Sequence, residues 1–185
     1  MNQLETDIVR RFQSNQPGGF DDLYDQWGPR VFRFCRRLAS NEADAEDLTQ
    51  EVFLAAYKSR GLFSWRSSIT TWLLRIAVFQ WNAARRRKRV GTVPMVERDE
   101  LVVDPSRDDF ARLAFSDALT QLPDEQRTAF ILVRSEGLTC REAASVLGIP
   151  EPTLKFRVQR AASKLQALYL ELPQTEVRSG KVQAK

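Results

Sequence analysis

Arg85, Arg86, Arg87, Lys88 and Arg89 form one uninterrupted basic run, and Phe63, Trp65, Trp72, Phe79 and Trp81 precede it. Aromatic rings beside cations suit single-stranded nucleic acid, because bases stack on rings while cations hold phosphates. The run is either a solvated helix end or a nucleic-acid contact. Five adjacent cations would cover every side of a helix, which favours contact. Trp72 reads as a core residue, whereas Trp65 lies in a polar stretch and is free to stack on a base.

A second constellation lies between Thr139 and Leu172. Thr139 with Glu142 makes a capping box, in which each side chain satisfies a free amide at the other position. Gly148 suits a helix C-terminus that needs positive φ, and Pro152 suits the first turn of the next helix. Leu154, Val158, Ala161, Leu165, Leu168 and Leu172 hold that long helix against a core. A short helix, a glycine turn and a second helix form a helix-turn-helix. In such a motif the N-terminal half of the second helix enters the major groove. Its outward residues are Thr153, Lys155, Phe156, Gln159 and Arg160, with Arg157 and Lys164 beside them. Arginine and lysine pair with guanine O6 and N7, and glutamine with adenine. Arg127 and Arg141 are placed to reach phosphates. A capped hairpin that never touches DNA would show the same pattern, so the residues alone leave both readings open.

A third stretch, residues 41–51, carries Glu42, Asp44, Glu46, Asp47 and Glu51 and no base. The bland reading is an ordinary capped amphipathic helix. Net charge is +4 with a pI of about 9.3. A basic run and an acidic face on one small chain suggest partners of opposite charge. The chain has no histidine, the commonest general base and metal ligand. Cys35 and Cys140 are too few and too far apart for a disulfide framework or a zinc site, which implies a reducing compartment. No enzyme activity, cofactor, metal or small-molecule substrate is expected. Met1 to Arg11 carries Glu5 and Asp7 without an apolar stretch, and no run of about 18 apolar residues occurs, so neither leader nor membrane span is expected. The expected location is the cytoplasm.

These residues need helices to position them. The 185 residues suffice for two small helical domains. Phe20, Leu23, Tyr24, Trp27, Val31, Phe34 and Leu38 step at helical spacing, with Gly28-Pro29 expected to kink or restart the helix. Ser40 or Asn41 caps the next helix, whose stripe is Leu48, Val52, Ala55 and Ala56 and which Gly61 ends. Ser67 or Ser68 caps a third, with Ile69, Trp72, Leu73 and Ile76 inward. Residues 90–108 carry five acids, two bases, Gly91, Pro94 and Pro105, and read as an acidic, partly extended linker. Phe110, Ala114, Ala118 and Leu122 then step by four, and Asp124 opens another helix that Gly137 stops. The expected architecture is all-α: an arm at 1–17, a first domain at 18–89, the linker at 90–108, a second domain at 109–172 and a tail at 173–185.

The chain resembles the extracytoplasmic-function class of bacterial sigma factors. Four segments in order carry the resemblance, which covers residues 18–172. They are Phe20-Asp21-Asp22-Leu23-Tyr24 with Pro29 to Phe34; Asp44 to Phe53; Ser67 to Ala77; and Leu122 to Arg127 with Glu136 to Thr139 and Leu147 to Pro150. The resemblance implies a transcription initiation factor with three kinds of surface. Asp44, Asp47, Leu48, Gln50, Glu51 and Phe53 would dock on the clamp helices of the largest subunit of core RNA polymerase, with the flap as a second contact. Phe63, Trp65, Arg66, Ser67, Ser68, Trp81, Arg85, Arg86, Arg87 and Lys88 would melt and hold the minus-ten element of promoter DNA, with a flipped base in the Phe63–Ser68 loop. Arg127, Thr139, Arg141, Thr153, Lys155, Phe156, Arg157, Gln159 and Arg160 would read the minus-thirty-five duplex. The linker would run through the RNA channel, and an anti-sigma factor would cover these surfaces. The chain departs from the family's habit at Val78-Phe79, Ala83, Pro152 and Phe156. Without the resemblance, the competing reading is a stand-alone helix-turn-helix regulator.

Overall fold

The computed structural model describes residues 3–39, 41–90, 115 and 117–171. Among these residues the chain is helical and has no strand. Four helices build the first unit: α1 (Gln3–Gln13), α2 (Gly19–Leu38), α3 (Glu42–Lys58) and α4 (Ile69–Val90). A 3-10 turn at Arg60–Leu62 follows α3. The second unit contains α5 (Asp124–Phe130), a π-helical turn at Ile131–Ser135, α6 (Cys140–Leu147) and α7 (Glu151–Glu171).

Capping sets the helix starts. The Asn41 side chain accepts from the Asp44 amide at 2.7 Å, and acids in that first turn suit the positive end of the dipole. Ser68 Oγ accepts from the Thr71 amide at 3.0 Å and so opens α4. The expected capping box is formed: Glu142 donates its amide to Thr139 Oγ1, and Thr139 donates its amide to the Glu142 carboxylate. Those Thr139 bonds hold the Glu142 carboxyl below the usual range. Gly148 closes α6 at φ +66°, as its sequence position requires.

Three findings differ from the sequence reading. Residues 3–13, within the stretch read as an N-terminal arm, form α1, whose Ile8, Val9 and Phe12 are buried in the first unit's core. Gly19 lets α2 start against α1, since a Cβ there would lie 2.7 Å from the Arg11 carbonyl carbon. Pro29 sits inside one continuous α2. It is solvent-exposed, as is Asp25, so water can serve the Asp25 carbonyl that loses its helical donor. The third helix ends at Lys58, and Gly61 falls in the following 3-10 turn. The linker beyond Val90, Phe110, Ala114 and the tail lie outside the described residues.

Fully buried Phe12, Leu23, Phe34, Leu38, Val52, Ile69, Leu73 and Leu74 fill the first unit. Each side chain of this kind contributes about 1.5–3 kcal/mol when taken from water. Cys35 lies among them, and burial pushes its thiol up to about 11, so it stays protonated and unreactive. Ile131, Leu132 and Leu154 anchor the second unit, and Leu119, Leu122, Ala161 and Leu165 form a small cluster against α7.

The two units pack on each other. Helix α6 lies against α4. Glu136, buried at 7% exposure, accepts from Arg30 Nε at 3.1 Å and Arg37 Nη1 at 2.9 Å, both on α2. Arg30 also donates to the Glu136 carbonyl at 2.7 Å. Arg75 of α4 donates to Ser145 Oγ of α6 at 2.6 Å, and Arg85 pairs with Asp124.

Candidate nucleic-acid interface

The loop between the 3-10 turn and α4 holds Trp65 in the left-handed region at φ +60°. A tryptophan in that region is strained by about 1–3 kcal/mol, and surrounding structure must hold it there. The hold is aromatic. Phe63 is buried at 3% exposure, and its ring centroid lies 5.2 Å from Trp65 and 5.5 Å from Trp72. Gln13 of α1 donates to the Phe63 carbonyl at 2.7 Å, tying the loop to the first helix. Trp65 remains 40% exposed on this platform. Phe63, expected from the sequence at the nucleic-acid contact, is instead packed in the core, with its ring against the indole. Arg66 and Ser68 are exposed and Ser67 is half-buried.

Beyond the loop, α4 presents a mixed face. Arg75, Phe79, Asn82 and Arg86 are exposed along one stripe, with Phe79 at 64%. Trp81 is half-buried instead. It lines a cleft of about 200 Å³ between α3 and α4, with Asp44, Asp47, Leu48 and Glu51 on one wall and Arg85 and Arg87 on the other. The Arg85 guanidinium sits 5.9 Å from the Trp81 ring centroid and pairs with Asp124, so it is not free for phosphate in this arrangement. Arg87 reaches Glu51 at 3.4 Å. The Lys88 side chain lies outside the described residues.

On α3, Asp47 and Gln50 are exposed and Asp44 and Glu51 half-buried. Leu48 and Phe53, expected at a docking surface, are buried at 4% and 2%. They face the bundle, where Phe53 meets Tyr24 at 4.8 Å and Phe20 at 6.3 Å. Helical spacing turns them roughly 100–120° away from Asp47, toward the core.

In the second unit, α6 and α7 form the helix-turn-helix expected from the capping box and Gly148. Lys155, Phe156, Gln159 and Arg160 are exposed on α7, while Leu154, Val158 and Ala161 are buried behind them. Thr153 is half-buried and Arg141 exposed. Lys155 pairs with Glu151 at 2.7 Å, which raises its pKa, and Arg157 pairs with Glu125 at 2.6 Å. Thr139 spends its hydroxyl on the capping box. Arg127 was expected to reach phosphate, but its side chain is 12% exposed, pairs with Asp124 and donates to the Leu38 carbonyl at 3.4 Å. Burial lowers its pKa, and Asp124 partly offsets that. It braces the two units.

The residues missed in the sequence are Arg30, Arg37, Glu136, Arg75 and Ser145. They lie 70 to 106 positions apart as partners, and no local pattern marks such pairs.

Two family models match the chain: sigma-70 region 2 over residues 23–90 and sigma-70 region 4 over residues 112–165. The RNA polymerase sigma factor CarQ of Myxococcus xanthus is 32% identical over 168 residues, covering 89% of this chain and 97% of CarQ. The ECF RNA polymerase sigma factor SigM of Mycobacterium tuberculosis is 30% identical over 149 residues, covering 80% of this chain and 76% of SigM. Among solved structures, the sigma factor RpoE bound to the anti-sigma factor NepR from Bartonella quintana superposes with a TM-score of 0.69 at 27% identity, covering 83% of this chain and 98% of that one. CnrH in complex with the cytosolic domain of CnrY gives a TM-score of 0.66 at 25% identity, covering 88% and 94%.

Proposed function

The chain belongs to the extracytoplasmic-function sigma factors, and on that premise we propose how its surfaces divide the work of initiation. It is a transcription initiation factor that binds core RNA polymerase and directs it to promoters. The α3 face with Asp44, Asp47, Gln50 and Glu51 docks on the polymerase clamp helices. The Trp65 loop, with Arg66, Ser67 and Ser68 and the basic end of α4, captures opened minus-ten bases. The outer face of α7, with Arg141, reads the minus-thirty-five duplex. The polymerase performs the chemistry, in the cytoplasm. No helix among the described residues is long and apolar enough to cross a membrane.

The observation that carries this division is Trp65, an exposed indole held at φ +60° on a buried phenyl ring, directly before a helix that ends in cations. A stand-alone duplex-binding regulator has no use for such a ring. Stacking contributes about 1–3 kcal/mol per captured base. Trp65→Ala is therefore expected to lower permanganate reactivity of minus-ten thymines about fivefold in complexes with core polymerase. Unchanged reactivity would show that bases open without this ring.

The closed packing bears on regulation. Elements named ten and thirty-five positions upstream are about 25 base pairs apart, roughly 85 Å at 3.4 Å per pair. Helices α4 and α6 touch in this arrangement, so the units must separate to read both elements. An anti-sigma factor, as NepR is in the similar complex with RpoE, fits a role of holding the surfaces silent.

A further inference from the structure

Phe156 carries a large exposed ring that packs against no part of the core. It is 57% exposed in the N-terminal half of α7, on the side away from buried Leu154, Val158 and Ala161. The Arg160 guanidinium lies 5.1 Å from the Phe156 ring centroid. Lys155 and Arg157, the other cations nearby, are engaged by Glu151 and Glu125. Among the described residues Arg160 has no carboxylate partner, and its guanidinium lies over the ring.

We propose that Phe156 and Arg160 act as one reader of thymine and guanine in the minus-thirty-five duplex. This rests on α7 being the duplex-reading helix. The phenyl ring packs on the thymine C5-methyl, an apolar group that only this base presents in the major groove. The guanidinium, already oriented by the ring, pairs with O6 and N7 of a guanine. The spacing fits. Residues four apart on a helix are about 6 Å apart along its axis, and base pairs rise about 3.4 Å. The two bases therefore lie within two base pairs of each other. A serine in place of Phe156 would supply neither the methyl contact nor the platform.

The test uses the chain assembled with core polymerase. A promoter library randomised over the minus-thirty-five element is selected for binding, and the winning duplex is remade with 2′-deoxyuridine at each thymine in turn. Uracil lacks only the methyl group. At one position it is expected to weaken the unsubstituted complex about fourfold, the effect of burying one methyl. The same change is expected to cost nothing with Phe156→Ser, while Arg160→Ala abolishes preference for the nearby guanine. An enriched element without thymine, or uracil that costs nothing anywhere, overturns the proposal and leaves the initiation-factor reading standing. Equal uracil sensitivity with Phe156→Ser does the same. No enrichment of any element overturns both.

Discussion

Asp47→Arg is expected to lower affinity for core RNA polymerase about a hundredfold and leave the fold intact. Asp47 is exposed on α3, so its replacement opens no cavity. Its neighbours on that face, Asp44, Gln50 and Glu51, are acidic or neutral, and their partner surface must be basic for complementarity. A cation placed there meets like charge at an interface, which costs several kcal/mol, and about 2.7 kcal/mol is a hundredfold. Co-purification with core polymerase measures the loss, and an unchanged far-UV spectrum and melting temperature establish the fold. Leu48→Ala and Phe53→Ala would be misleading probes. Both side chains are buried, so their removal destabilises the bundle by about 2–5 kcal/mol before any docking is tested.

Glu136→Ala is expected to release the second unit from the first. The carboxylate is 4% exposed and held by Arg30 and Arg37, which are 40% and 36% exposed. Removing one partner of a fully buried pair costs about 3–5 kcal/mol. Solvent around the two arginines reduces that to about 1–2 kcal/mol here, roughly a tenfold shift toward separated units. X-ray scattering should show a larger radius of gyration with unchanged helix content. Arg37→Ala should act on the same contact, so the double variant should cost less than the sum of the two. An unaltered scattering profile in Glu136→Ala would show that the ion pairs do not hold the closed arrangement.

These two residues also show what could be read from the chain and what could not. The exposure of Asp47 on a capped acidic helix was legible because an acidic stretch without bases stands out locally, whereas a docking role for it came from the resemblance alone. The Thr139–Glu142 box, Gly148 and the Leu154–Val158–Ala161 stripe were legible for the same reason: capping and periodicity are relations over three to seven residues. Glu136 was not, because its partners lie 99 and 106 positions away. Periodicity placed Leu48 on an apolar stripe, yet the resemblance assigned it, with Phe53 and Phe63, to surfaces; all three are buried, and only packing reveals burial. Ile8, Val9 and Phe12 had helical spacing too, but so short a stripe shows its value only once α2 lies against it. Pro29 broke the local rule for a helix interior and was tolerated because the affected turn faces water. Arg127 had the charge for a phosphate contact, and the proximity of the two units turned it inward.

The chain gives polymerase a promoter preference. Run-off transcription with purified core polymerase over a randomised promoter library tests it most directly. Adding the chain should produce discrete new transcripts whose start sites share two upstream elements, and Asp47→Arg should remove them. Saturating chain, free of any inhibitory protein, that yields only the transcripts made by core polymerase alone would contradict it.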